Sequence, residues 1–207
     1  MAPDRLSGKM KLAVLISGSG SNLQAILDAS AKTDFPAQVD VVISNVPDAF
    51  GLTRAKQAGI PTISIDHREY PDRHSFENAL QSALSTYEVD LICLAGFMRI
   101  LTSEFIAQWP DKIINTHPAL LPKFGGPGMY GNHVHKAVLA AGETQSGPTI
   151  HYVIPEVDKG EIIAQSRVDV KENDTAETLA KRVLEQEHVL YPEAIKLIAE
   201  KRGFKTT

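Results

Sequence analysis

"KLAVLISGSGSNLQAIL", residues 11–27, passes from an apolar strand through a Gly/Ser turn into the start of a helix, and that order decides the fold. Residues 11–17 are apolar on both faces, as expected of a parallel strand covered by helices on each side. The same kind of run returns as "VDVVISN" (39–45), "PTISID" (61–66), "VDLICLAG" (89–96) and "KIINTH" (112–117). Helical patterns over 21–31, 50–58 and 72–87 lie between them. The third is the clearest, with Phe76, Ala79, Leu80, Ala83, Leu84 and Tyr87 recurring at three- and four-residue steps on one stripe. Strand, helix, strand, repeated, implies right-handed βαβ units in an open, Rossmann-like α/β sheet, mostly parallel, with helices on both faces.

After residue 117 the rhythm changes. A Gly- and Pro-rich loop, "PKFGGPGMYGNH", leads to a short helix near 132–141, then to strands over 147–154 and 161–170 joined by "PEVDKG". A long helix follows over about 174–200, with Asp174 or Thr175 as its N-cap and Pro192 placed to kink or interrupt it. With no repeat and no linker-like tract, residues 10–207 read as one domain and residues 1–9 as a loose N-terminal extension.

Composition narrows the class. The 207 residues are 43% hydrophobic and 22% charged, ordinary for a globular chain that can bury a core without staples. A net charge of −4 gives no global attraction to nucleic acid or anionic membrane. Cys93 is the only cysteine, which excludes an internal disulfide and fits a reducing, cytoplasmic setting. The N-terminus lacks a signal-peptide core, and no apolar run approaches the ~20 residues of a bilayer span, so the chain reads as soluble. Small-molecule substrates are expected, with neither nucleic acid nor membrane as partner, in a monomer or weak homodimer.

Several residues carry candidate chemistry. Gly18 and Gly20 allow close backbone approach ahead of a helix N-terminus, an anion cradle suited to one phosphate. Neither the third glycine of a dinucleotide fingerprint nor the Lys of a Walker loop follows. A plain tight turn capped by Ser21 or Asn22 explains the same residues. Asn115 and His117 stand i, i+2 at the end of the fifth strand, on one face, where open α/β sheets bind ligands. An amide donor beside an imidazole suits negative charge growing on a carbonyl oxygen; capping the strand is the structural alternative. Asp158 reads as a turn former, or as a carboxylate that keeps a nearby imidazole protonated. Glu187 falls on the apolar stripe Leu179, Val183, Leu190, Ala194, Ile198, where a carboxylate is costly unless paired or at a cleft. It could hold a substrate ammonium, or an ion pair with Arg182 or Lys181. In "LAGFMRIL" (94–101), exposed backbone could pair with a flat heterocycle, while Phe97 and Met98 read as core. His117, His133, His135 and His151 cluster in sequence, but His133 and His135 diverge on a helix and no zinc motif accompanies them, so no metal is expected.

Together these segments resemble the glycinamide ribonucleotide formyltransferases, folate-dependent transferases of purine synthesis. The resemblance rests on "VLISGSGSNLQAI", "AGFMRIL", "INTHPALLP", "SGPTIHYV" with "EVDKGEII", and "EQEHVLYP", in order along nearly the whole chain. It implies 10-formyltetrahydrofolate as the formyl donor and no metal. It also implies that Gly20, Ser21 and Asn22 hold the ribotide phosphate and that Glu187 meets the substrate amine. By the same resemblance, Met98, Arg99, Ile100 and Leu101 line the pterin pocket with Asn115, and Arg68 contacts folate. Asn115 and His117 would act on the formyl oxygen, with Asp158 supporting His117. Two features depart from the pattern: a longer Gly-rich loop, "FGGPGMYGN", which bears on access to the site, and Leu184, which stands where some members carry a polar residue.

Two rival readings remain at this point. A hydrolase could release formate with the same trio, and a binding module could keep the fold without the chemistry. A methionyl-tRNA transferase would need a basic C-terminal domain that this sequence does not carry.

Overall fold

The computed structural model describes residues 8–204. The loose extension expected over 1–9 therefore falls, apart from Gly8 and Lys9, outside the described residues. The first half alternates as the hydrophobic runs require: β1 (Met10–Ile16), α1 (Ser21–Ser30), β2 (Ala37–Ser44), α2 (Phe50–Gln57), β3 (Thr62–Ser64), α3 (Arg73–Leu84), β4 (Leu91–Leu94). A single-turn helix, α4 (Ser103–Ala107), precedes β5 (Ile113–His117). The second half holds α5 (Asn132–Ala140), β6 (Gln145–Ser146), β7 (Thr149–Tyr152), β8 (Ile162–Gln165), β9 (Val168–Asp169) and α6 (Ala176–Lys201).

Seven strands form one sheet in the order β3-β2-β1-β4-β5-β7-β8. Pairings from β3 to β5 are parallel, and β5-β7 and β7-β8 are antiparallel. The strand alternation explains why both faces are dry. Met10, Leu12, Val14 and Ile16 of β1 enter a core shared with α1, α2 and α6, whereas Ala13 and Leu15 enter the opposite core with Phe76, Leu80 and Leu84 of α3. The chain winds β1, β2, β3 toward one edge, then crosses to β4 and β5 on the other side. The loops leaving β1 and β4 therefore diverge, opening a crevice at the carboxyl ends of the strands.

Two expectations change. The strand expected over 161–170 is split: Ser166 is pressed against Gly147, where a Cβ would stand 1.9 Å from the Ser166 carbonyl oxygen. Beyond that point the chain leaves the main sheet and β9 pairs with β6 in a two-stranded ribbon. Nor does Pro192 interrupt the last helix, which runs unbroken from Ala176 to Lys201. Lacking an N–H, Pro192 leaves only the His188 carbonyl without its helical donor, a local loss within seven turns of helix anchored by a buried stripe. Thr175 is the N-cap, in a capping box with Thr178, while Asp174 pairs with Arg182 at 2.7 Å.

Candidate functional site

A cleft of about 570 Å³ opens at the switch point. Its walls come from the segment after β4 (Gly96–Leu101), the end of β5, the 126–131 loop, the 153–158 connection and α6. Asn22, Asn115, His117, Asp158 and Glu187 all line it. Residues from four separate stretches of sequence thus converge on one space.

The end of β5 is held rigidly. Thr149 Oγ1, on the neighbouring β7, donates to the Ala119 carbonyl (2.7 Å) and accepts from Leu121 N–H (3.1 Å). Gln165 Nε2 on β8 donates to the Leu121 carbonyl at 2.9 Å. The turn behind Asn115 and His117 is therefore pinned from the sheet as well as stiffened by its prolines. Asn115 presents an amide to which no described residue is hydrogen-bonded, whereas His117 is buried, with a hydrogen-bond partner on one ring nitrogen and a carboxylate facing the other. Its Nε2 lies 2.7 Å from the Phe124 carbonyl oxygen, an acceptor, so Nε2 carries a proton. Its Nδ1 faces Asp158 Oδ2 at 3.4 Å, a contact that is favourable only when Nδ1 is protonated as well.

Asp158 does reach His117, and it reaches a second imidazole too. Asp158 Oδ1 stands 3.6 Å from His151 Nε2, and Oδ2 accepts from Gly126 N–H at 2.9 Å. Asp158 holds a left-handed backbone (φ 57°), a conformation that Asp tolerates in turns. Burial pushes its carboxyl up, but His151, the Gly126 amide and His117 outweigh this and hold it below the usual range. For His117, burial is the largest influence and lowers its pKa, with Asp158 and the Phe124 carbonyl opposing. The Asp158 carboxylate thus pulls toward the protonated ring, as expected of it, but burial is the larger influence and the net direction is downward. In the sequence His151 is one of a scatter of histidines with no mark of its own. Its cross-strand pairing with Asn115 is what carries it into the site.

Glu187 is 6% exposed and has no cationic partner among the described residues, which removes the ion-pair alternative: Arg182 is taken by Asp174. Its partner is instead Asn22, whose Nδ2 donates to Oε2 at 2.5 Å. Burial raises the Glu187 pKa to about 7, with the Asn22 bond opposing. The Gly/Ser turn is tightly seated. Gly20 takes φ 70°, and a Cβ there would lie 2.6 Å from Gly51 Cα at the start of α2. Gly51 N–H donates to the Gly18 carbonyl and Arg54 Nε to the Ser19 carbonyl. No side chain caps α1, so the amides of its first turn keep their donors for an anion. Ser21 faces a neighbouring groove of about 690 Å³, bordered by Gln24, Arg54 and His188, so the helix start stands between groove and cleft.

After β4, Phe97 and Leu101 are core residues, but Met98 and Ile100 are 59% and 54% exposed at the cleft. Met98 therefore departs from the core expectation. Ser17 Oγ accepts from Met98 N–H (2.8 Å) and donates to Asn45 Oδ1 (2.5 Å), fixing the segment while the amides of 99–101 stay clear of other backbone. Arg68 is exposed, outside the cleft lining, and forked onto Asp66, whose carboxyl it pulls down to about 2. Leu184 is half-buried on α6. His133 and His135 diverge on α5, His133 stacking edge-on with Tyr130 and His135 buried. Among the described residues no three His, Cys, Asp or Glu side chains converge as metal ligands.

An open α/β sheet with amide, imidazole and carboxylate groups gathered at its switch point defines a small-molecule enzyme of the acyl-transfer type. Residues 10–195 match the family described as Formyl transferase. Phosphoribosylglycinamide formyltransferase of Haemophilus influenzae is 43% identical over 192 residues, covering 93% of this chain and 88% of that protein. The trifunctional purine biosynthetic protein adenosine-3 of Gallus gallus is 47% identical over 193 residues, but the chain spans only 19% of its length. Among solved structures, glycinamide ribonucleotide transformylase 1 of Symbiobacterium toebii superposes with a TM-score of 0.88 at 45% identity, covering 94% of this chain and 89% of that one. The chain belongs to the formyl transferase family.

Proposed function

We propose that this chain transfers the formyl group of 10-formyltetrahydrofolate to the amine of 5'-phosphoribosylglycinamide in de novo purine synthesis. The observation that carries the reading is the convergence of Asn115, His117, Asp158 and Glu187 in one cleft beside an uncapped helix start. Residues 10–207 act as the one catalytic domain, built on the single seven-stranded sheet. The buried, lone Cys93 suits a reducing cytoplasm. No helix of the described residues is long and apolar enough to cross a membrane.

Each group has a task. The free amides of Gly20, Ser21 and Asn22 hold the ribotide phosphate at the positive end of α1. Glu187, ionised in part near neutrality, accepts from the amine. Met98 and Ile100 cover the pterin ring, and the backbone of Arg99 to Leu101 bonds its edge. Arg68, outside the cleft lining and forked onto Asp66, meets the anionic tail of the folate as that tail leaves the cleft. When the amine attacks the formyl carbon, Asn115 and His117 donate to the oxygen that becomes negative. That oxygen takes the Phe124 carbonyl's place on His117 Nε2, so the 124–131 loop yields as substrate enters. The attacking amine gives up a proton, which passes to the folate nitrogen as its bond to the formyl carbon breaks, while Asp158, on Nδ1, keeps the His117 ring oriented with Nε2–H toward the oxyanion.

The expected result for Asn115→Ala or His117→Ala is a loss of ~10²–10³ in turnover with the fold retained, the usual cost of one oxyanion donor. Near-wild-type turnover in either variant refutes the assignment.

A further inference from the structure

The Asn22–Glu187 pair has a geometry that a phosphate-binding role for the Asn22 side chain does not explain. Both residues are buried, on α1 and α6, and both border the cleft. The donor Nδ2 is spent on Glu187 Oε2 at 2.5 Å. What remains is Oδ1, which is buried without a partner. An oxygen acceptor repels an anion, so only the backbone N–H of Asn22 suits phosphate. The orientation of the amide is dictated by its neighbour, since Oδ1 turned toward the carboxylate would set two acceptors against each other. A buried acceptor left unsatisfied costs free energy that a ligand donor recovers.

We propose that Asn22 is a positioning and specificity residue for the amine substrate. Its Nδ2 clamps Glu187 against the cleft wall, and its Oδ1 joins the carboxylate in a two-acceptor grip on the substrate's N–H donors. This rests on the proposed transferase reading for the identity of the substrate, but not for the existence of the clamp. A substrate carrying a primary amine or ammonium satisfies both acceptors; a carbonyl or second phosphate in that place satisfies neither. The grip thus selects for the nucleophile, while the main-chain amides of the same helix turn select for the anion.

The clamp has a consequence for charge. The titratable groups near Glu187 are His188 beside it on α6, Tyr191 one turn further on, whose hydroxyl donates to the Leu94 carbonyl, and Arg99, His117, His151 and Asp158 lining the cleft. Of all these neighbours, only the Asn22 bond acts appreciably against the burial of Glu187. Without that bond, the carboxyl holds its proton to still higher pH.

The test is Asn22→Ala, with Asn22→Ser as a second variant whose side chain is too short to reach Glu187. Glu187→Gln serves as the background control. The Glu187 carboxyl is followed by ¹³C NMR titration in the free enzyme, and kinetics are measured from pH 5.5 to 9. We expect the Glu187 titration and the acid limb of kcat/KM for the ribotide to move up together. A move of about one pH unit corresponds to ~tenfold at fixed pH. KM for the formyl donor should stay unchanged, and on the Glu187→Gln background, which lacks the Glu187 limb, Asn22→Ala should not alter the pH profile further. A Glu187 titration that does not move in a folded variant overturns the clamp. Equal losses toward both substrates, with no change in pH profile, overturn the specificity role and leave Asn22 as packing. If the wild-type protein shows no ribotide-dependent turnover, the transferase reading fails, and the NMR titration still decides the clamp.

Discussion

Gly160 links the sheet to the chemistry, and replacing it by Ala should damage both. A Cβ at this position would stand 1.7 Å from the Tyr152 carbonyl oxygen on β7. Relief to the 3.0 Å at which real contacts begin moves one strand by roughly 1.3 Å (3.0 minus 1.7). The bond from Tyr152 N–H to the Glu161 carbonyl, 2.9 Å, lies beside the clash and is lost or bent. One such bond is worth ~1 kcal/mol, and the strand distortion adds ~1–3 kcal/mol. Together these give ~2–4 kcal/mol, or a fall in Tm of roughly 4–16 °C for a chain of this size. Asp158 lies two residues before Gly160 and is held at 3.4 Å from His117, so the same displacement misplaces the carboxylate. A 1 Å error of this kind costs ~10²-fold in rate. The assay pairs thermal unfolding with turnover measured well below the new Tm. A Gly160→Ala protein with wild-type Tm and turnover refutes the idea that this close approach sets the position of Asp158.

Two further substitutions separate charge from shape. Asp158→Asn should keep the fold, because Asn Oδ1 can still accept from Gly126 N–H, but lose ~10²–10⁴ in turnover; circular dichroism and kinetics check it. Glu187→Gln should change the dependence of stability on pH. The folded pKa of Glu187 is about 7 against 4.5 for the free side chain, so its contribution to stability is greatest below pH 4.5 and is lost as pH rises to 7. The variant should therefore gain on the wild type across that window, by ~2–4 kcal/mol at pH 8, a difference that denaturant titrations at pH 4.5 and 8 resolve.

The sheet was legible because its central strands are apolar on both faces, a pattern that local sequence carries in full. Glu187 was legible for a related reason: a carboxylate interrupting the stripe from Leu179 to Ile198 announces itself. What the sequence withheld depends on contacts between distant segments. Nothing near Asn22 shows that its amide turns toward Glu187, 165 positions away. Nothing near Asp158 shows that it stands between two histidines, because that depends on the antiparallel register of β5 and β7. Met98 misled because an apolar side chain after a buried strand reads as core, whereas here it is left open on the cleft wall. The one-turn helix Ser103–Ala107 is too short for periodicity to reveal; only Thr102, whose hydroxyl caps Phe105 N–H, marks it. The His117 pKa is the subtlest case, since sequence suggests a carboxylate partner but gives no measure of burial, the larger influence.

The most direct test is steady-state turnover of a 10-formylfolate donor with and without glycinamide ribonucleotide. The account requires folate product only when the ribotide is present, matched mole for mole by formylated ribotide. Equal turnover without the acceptor, with formate released, would contradict it: the cleft would then belong to a deformylase, and the uncapped start of α1 to structure alone.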